Sequence, residues 1–341
     1  MRKLRFIKYF YHARGGFGAG TGRFSVAGSL NRRAFTKAVL TGLGAAAMPP
    51  VTTGAASQPA ATGQGSAGKQ LRIGCTSLVW GVFPRAPQPL ESAVRDMSEL
   101  GYKGFETFGQ VLEDWDTKGT LEKLTSHYKI PLISAYAPLN VIDPSVRKNE
   151  IATIVRWGRI LKKYGANFIV IEAGGAKRAG YDFAAHRTNI VGALNEYGKA
   201  LADIGVGSGL HQHTGTAIET RDEVYAVMES VDTRIFKFAP DVGQLQKGGA
   251  DAAKVVKDFA SITVHMHLKD FVNGPHMGGY SPLGIGMVDL KAILETMEQA
   301  NPKANIMHEL DPSRNMPYTP RQTAEISKWY LEKLGYMLGT S

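Results

Sequence analysis

The chain has 341 residues, 43% hydrophobic and 21% charged, which excludes a wholly disordered, collagen-like or coiled-coil protein. The formal net charge of +10 invites a nucleic-acid reading, but residues 1–68 carry nine Lys and Arg and no Asp or Glu, leaving 31 basic against 30 acidic residues in the rest. The body therefore has no electrostatic footprint for nucleic acid or an anionic membrane.

The opening segment reads as an export signal. Asn31-Arg32-Arg33-Ala34-Phe35-Thr36-Lys37 precedes an 11-residue apolar run over 38–48, then Pro49, Pro50 and small residues. A basic region, an apolar stretch and a small-residue tail make a signal peptide. The paired arginines resemble a bacterial twin-arginine signal. The run falls short of the roughly 20 apolar residues a bilayer span takes, so no stable membrane anchor is expected. The expected organisation is a leader, twin-arginine signal and flexible linker over 1–68, a folded body over 69–341, and a periplasmic location. Cys75 is the single cysteine, so no intramolecular disulfide forms.

Downstream, short apolar or β-branched runs alternate with amphipathic stretches. In chain order, the pattern predicts a strand over 71–77 and a helix over 90–100, then strand 104–108 and helix 117–128. Strand 132–136 and helix 145–164 follow, then strand 168–172 and helix 182–204, and strand 209–213 with helix 220–230. The last three pairs are 236–241 with 250–259, 262–268 with 289–300, and 305–310 with 321–334. Such alternation implies a parallel sheet, and eight units imply an α/β fold closed as a (β/α)8 TIM barrel. An open doubly wound sheet is the alternative, and no glycine-rich dinucleotide loop follows the first strand to support it.

In a barrel the chemistry sits at the C-terminal ends of the strands. Glu172, His213, Asp241 and Glu309 lie at or near those ends. Residues two apart share a face of a strand, which groups His211 with His213, and His265 with His267 and Lys269. His211, Asp241, His267 and Glu309 are separated by 30, 26 and 42 residues, the scale of one βα unit each with a longer loop in the last. Two imidazoles and two carboxylates on neighbouring strands form a candidate ligand set for one divalent metal, Mn, Zn, Fe or Co in preference to Ca. The plainer reading makes each a hydrogen-bonded polar residue of a barrel loop. Glu172, His213, Glu309 and Lys269 are candidate catalytic groups. Trp80, Glu106 and Gln244 are candidate substrate contacts, and His265 is read as structural.

Five motifs follow one another at barrel spacing: His211-Gln212-His213-Thr214-Gly215-Thr216, Asp241-Val242-Gly243-Gln244, His267-Leu268-Lys269-Asp270, the turn 282–289, and Glu309-Leu310-Asp311. Together they resemble the xylose isomerase-like TIM-barrel superfamily, in its sugar phosphate isomerase/epimerase branch, and the first is similar to inosose dehydratases. The resemblance covers 71–334. It implies one divalent metal held by a Glu, an Asp, a His and a Glu from the last four strands, with His211 standing here at the position of the first Glu. It also implies a metal-dependent sugar isomerase or epimerase that abstracts a proton α to a carbonyl of a sugar, keto-sugar or polyol derivative. The alternatives are a lyase or dehydratase of a keto-sugar or keto-inositol, and a non-catalytic sugar-binding barrel. The expected partner is a small carbohydrate, with homo-oligomers common in the family. Endonuclease IV shares the superfamily, but Gln244 stands where that enzyme has a metal histidine.

Overall fold

The computed structural model describes residues 69–313 and 315–339; the leader with its expected export signal, and Arg314, lie outside the described residues. Eight parallel strands form the sheet: β1 (Arg72–Thr76), β2 (Phe105–Phe108), β3 (Leu132–Asn140), β4 (Phe168–Gly174), β5 (Gly207–His211), β6 (Lys237–Phe238), β7 (His265–Leu268) and β8 (Asn305–His308). Their order is β6-β5-β4-β3-β2-β1-β8-β7. Two isolated parallel bridges, Phe238 with Thr263 and Asp241 with His267, join β6 to β7 and close the ring. The fold is the expected (β/α)8 barrel.

The helices are α1 (Leu90–Leu100), α2 (Gly109–Thr117), α3 (Leu121–Tyr128), α4 (Arg147–Lys163), α5 (Phe183–Ala202), α6 (Arg221–Met228), α7 (Val242–Lys247), α8 (Ala252–Phe259), α9 (Leu290–Ala300) and α10 (Pro320–Lys333). The helix expected over 117–128 begins later, as α3. The preceding α2 is a separate element, parted from it by Gly119 at φ 65°. Strands β5 and β6 both end earlier than expected. Strand β5 stops at His211 because the His213 amide turns away to the Ile218 carbonyl at 3.1 Å. Strand β6 stops before Pro240, which has no N–H, and Asp241, which caps α7. That six-residue helix is too short to show a period in sequence. Among the described residues no helix is long and apolar enough to cross a membrane.

Alternation along the strands separates two layers. Ile169 and Ile171 join the main core, between strands and helices. Phe168 and Val170 instead meet Ala239, Tyr136 and Val264 in a small separate cluster. This second cluster fills the barrel itself, and the Phe168 ring stacks on His265 at 5.2 Å. Beside it the inward positions turn polar: Glu106, Ser134, Ser208 and His265 are all buried. The barrel interior thus carries a set of buried polar and ionisable groups, and the outer core holds the fold.

Candidate metal centre

Three of the four expected ligands meet at the barrel mouth. One donor atom from each of His211, Asp241 and His267 lies within 4.8 Å of the others, and all three residues are buried. Glu309 joins from the end of β8, with Oε2 3.1 Å from His267 Nδ1.

Each side chain is held by a distinct device. His211 Nδ1 lies 3.2 Å from the Ala239 carbonyl, so it carries the hydrogen and donates it. Its Nε2 is buried with no partner. Burial first, then neighbouring His267, lowers this imidazole well below its ordinary value, which leaves Nε2 as a free lone pair. Asp241 accepts the Gln244 amide on Oδ1 at 3.0 Å, capping α7, and turns Oδ2 inward. Burial raises its carboxyl pKa against the opposing pull of Lys269.

His267 is gripped from both sides. Glu106 Oε1 lies 2.7 Å from Nε2, opposite the Glu309 contact. Burial disfavours the charged ring, yet Glu309 and Glu106 hold its pKa well above the usual histidine range. Glu106 also faces His265 Nε2 at 2.9 Å and accepts the Ser134 hydroxyl at 2.5 Å. Burial would raise the Glu106 carboxyl, but His267 and His265 outweigh it and hold it far below the usual carboxylate range. Glu106, His265 and His267 are a second group close enough to share an ion. Glu106 Oε1 is already tied to His267 Nε2 at 2.7 Å, so the carboxylate stands behind His267 as its support.

Lys269 lies just past β7 and is fully buried. Its Nζ stands 2.8 Å from Asp241 Oδ2, 2.8 Å from Glu309 Oε1 and 3.3 Å from Asp311 Oδ2. Burial opposes its charge, but Asp241, Asp311 and Glu309 raise its pKa well above the ordinary value. The stem runs against Gly243, where a Cβ would lie 2.8 Å from Lys269 Cγ. The donor set fits a divalent cation: an unpartnered imidazole lone pair faces a carboxylate and a second imidazole. The lysine ammonium rests on two of the oxygens.

The other expected site residues fall into three places. His213 lies past the strand end, half-buried, and its two nitrogens are both engaged. The Thr214 amide and hydroxyl donate to Gln244 Oε1 at 3.2 and 2.7 Å, which fixes the Gln244 amide, and Gln244 Nε2 then donates to His213 Nε2 at 2.6 Å. His213 Nδ1 donates to the Thr214 carbonyl at 2.8 Å. Glu172 is half-buried and accepts the Tyr136 hydroxyl, and the Tyr136 ring packs edge-on to His211 at 5.3 Å. Glu106, expected as a substrate contact, lies buried at the floor of the site behind His267. Trp80 is not brought to this group: its indole is buried and donates to Asp96 of α1 at 2.9 Å.

Residues 94–333 match the family model of the xylose isomerase-like TIM barrel. The chain belongs to that family. An inosose dehydratase of Geobacillus kaustophilus is 25% identical over 277 residues, covering 73% of this chain and 88% of that enzyme. The structure of an IolI protein with a binding zinc atom is similar with a TM-score of 0.65 at 14% identity, covering 80% of this chain and 100% of that one. The 3-keto-D-glucoside 4-epimerase of E. coli is similar with a TM-score of 0.60 at 16% identity, covering 76% and 98%. These two structural likenesses speak for the fold.

Within this family member the turn 282–289 has a local cause. Asp270 accepts backbone amides from Phe271, Gly284 and Gly286 at 2.9 Å and from Val288 at 3.2 Å. A Cβ at Gly286 would stand 2.2 Å from Asp270 Oδ1, so that position admits only glycine. The carboxylate folds the loop rather than the chemistry. Tyr136 and Asp311 were missed as site residues. Both stood in reach of the alternation rule, since Tyr136 follows Ser134 by two and Asp311 follows Glu309 by two.

Proposed function

We propose that this barrel is a divalent-metal-dependent enzyme that removes the proton α to a carbonyl of a sugar, keto-sugar or polyol derivative and returns it as an isomerase or epimerase. The observation that carries the reading is His211 Nε2, buried without a partner beside Asp241 and His267. His211, Asp241, His267 and Glu309 are the residues that would hold the ion. A divalent metal such as Mn, Zn, Fe or Co bound there supplies Lewis-acid polarisation of the substrate carbonyl.

The remaining work falls to the chain. Glu172 is the base that takes the α-proton: it has no ion pair among the described residues and is aimed by the Tyr136 hydroxyl. Glu309, 2.8 Å from the Lys269 ammonium that resupplies its proton, reprotonates the carbon, while the proton taken by Glu172 passes to water. Lys269 offsets negative charge that develops on the substrate oxygens. Gln244, fully buried, holds the half-buried His213 ring at the rim of the site.

A second reading has its own support. His211 removes an acid from the place where the family has one, and the stretch 211–216 is similar to inosose dehydratases. With a single strong base on the Glu172 side, loss of a β-hydroxyl as water competes with reprotonation, giving a dehydratase. We further infer that residues 1–68 direct the chain to the periplasm, so that the partner is an unphosphorylated small carbohydrate.

The test pairs two measurements on the purified protein. Elemental mass spectrometry of wild type beside Asp241→Ala reads the metal, and uptake of deuterium from D2O by a panel of keto-sugars reads the chemistry. Near-stoichiometric metal lost in the variant, with exchange at the carbon α to the carbonyl, supports the reading. Exchange accompanied by water loss selects the dehydratase. Sugar binding without metal and without exchange overturns both in favour of a non-catalytic barrel.

A further inference from the structure

We propose that Lys269 is a tethered cation standing where a divalent metal would take its carboxylate oxygens, and that metal entry moves the ammonium off Asp241 and Glu309 onto Asp311. The inference rests on the metal-dependent reading above and adds a competitor built into the chain.

The geometry is specific. The ammonium stands among three carboxylates and makes its hydrogen bond to Asp311. Two are sealed, with Asp241 and Glu309 side chains 0% and 6% exposed, and both stand 2.8 Å from Nζ. The third, Asp311, is 30% exposed and stands farther off at 3.3 Å. His211 brings no charge to the set, so Asp241 and Glu309 are its anionic part, and the ammonium covers one oxygen of each. An ammonium and a divalent cation cannot both occupy those oxygens. The lysine head sits on a four-carbon stem and changes place by rotamer alone. Asp311 is already within reach, so the charge has a resting place that needs no backbone movement. In the absence of metal the same lysine keeps two buried carboxylates from being left uncompensated.

The experiment is a titration of metal-stripped protein with Co(II), followed by calorimetry and by the visible absorption of the ion. Three variants join the wild type: Lys269→Met, Asp311→Asn and the double variant. Removing the competitor is expected to tighten Co(II) binding in Lys269→Met by at least about tenfold. Removing the resting place is expected to weaken it in Asp311→Asn by about fivefold. In the double variant the Asp311 change is expected to have no further effect, because there is no ammonium left to place. Wild type and Lys269→Met binding Co(II) equally overturns this inference and leaves the proposed function standing. No binding by any of the four proteins overturns both. Should Lys269→Met not fold, Asp311→Asn decides the matter alone, since unchanged affinity there overturns the displacement.

Discussion

Glu106 reaches His267 from inside the barrel, with Oε1 2.7 Å from Nε2. That contact leaves Nδ1 as the nitrogen facing Glu309 and the site. A carboxylate behind a ligand histidine sets both its ring orientation and its basicity. Glu106→Gln keeps the size and removes the charge. Metal affinity is expected to fall about 10–100-fold while the circular dichroism of the barrel is retained. Unchanged affinity would show that the strand register, not Glu106, aims the imidazole.

Acid gives a second readout of the same residue. Burial acts to raise the Glu106 carboxyl, but His267 and His265 hold it far below the ordinary value in the folded barrel. A depressed folded value contributes stability that is present above the unfolded value, about 4.3, and is lost as pH falls toward the folded one. Denaturant midpoints of the wild type are therefore expected to drop below about pH 4.3. The drop in Glu106→Gln is expected to be smaller over the same range. Parallel slopes would assign the acid loss to other carboxylates.

Trp80 is expected to matter for stability and not for substrate. Its indole donates to Asp96, which also takes Arg321 of α10 at 3.2 Å, so the residue ties the exit of β1 to the outer helices. Trp80→Phe is expected to cost about 1–2 kcal/mol in chemical denaturation by leaving that acceptor short of a donor. KM is expected to hold. A raised KM with unchanged stability would return the residue to the substrate side.

Tyr136 aims Glu172 and packs on His211 and, at 6.0 Å, on His267. Burial, then the charge of Glu172, holds the phenol well above its ordinary value, so it stays a donor throughout the neutral range. Tyr136→Phe is expected to slow α-proton exchange about tenfold with KM little changed. An unaltered exchange rate would remove Glu172 from the role of base.

The sequence made the barrel legible because eight apolar runs recur at βα spacing, and strand alternation brought His211, Asp241, His267 and Glu309 to one mouth. Alternation states which face a side chain takes, not how far it reaches, so the partners of Lys269 and the closed pair of His213 and Gln244 stayed hidden. The place of Trp80 is open in the sequence for a related reason. An aromatic after a strand can face the mouth or the helices, and only Asp96, 16 residues on, decides. The six residues of α7 carry too few turns for a period, although Asp241 at its cap was in plain view.

Asp241 and His267 are bridge partners across the seam between β6 and β7, where two isolated bridges stand in place of a ladder. The His267 amide donates to the Pro240 carbonyl at 2.8 Å, so the backbone that closes the cylinder is the backbone that spaces two of the donors. A ligand gripped by both side chains rivets the last two staves together. Slowed hydrogen exchange at that one amide on loading would report mechanical closure and site assembly as a single event.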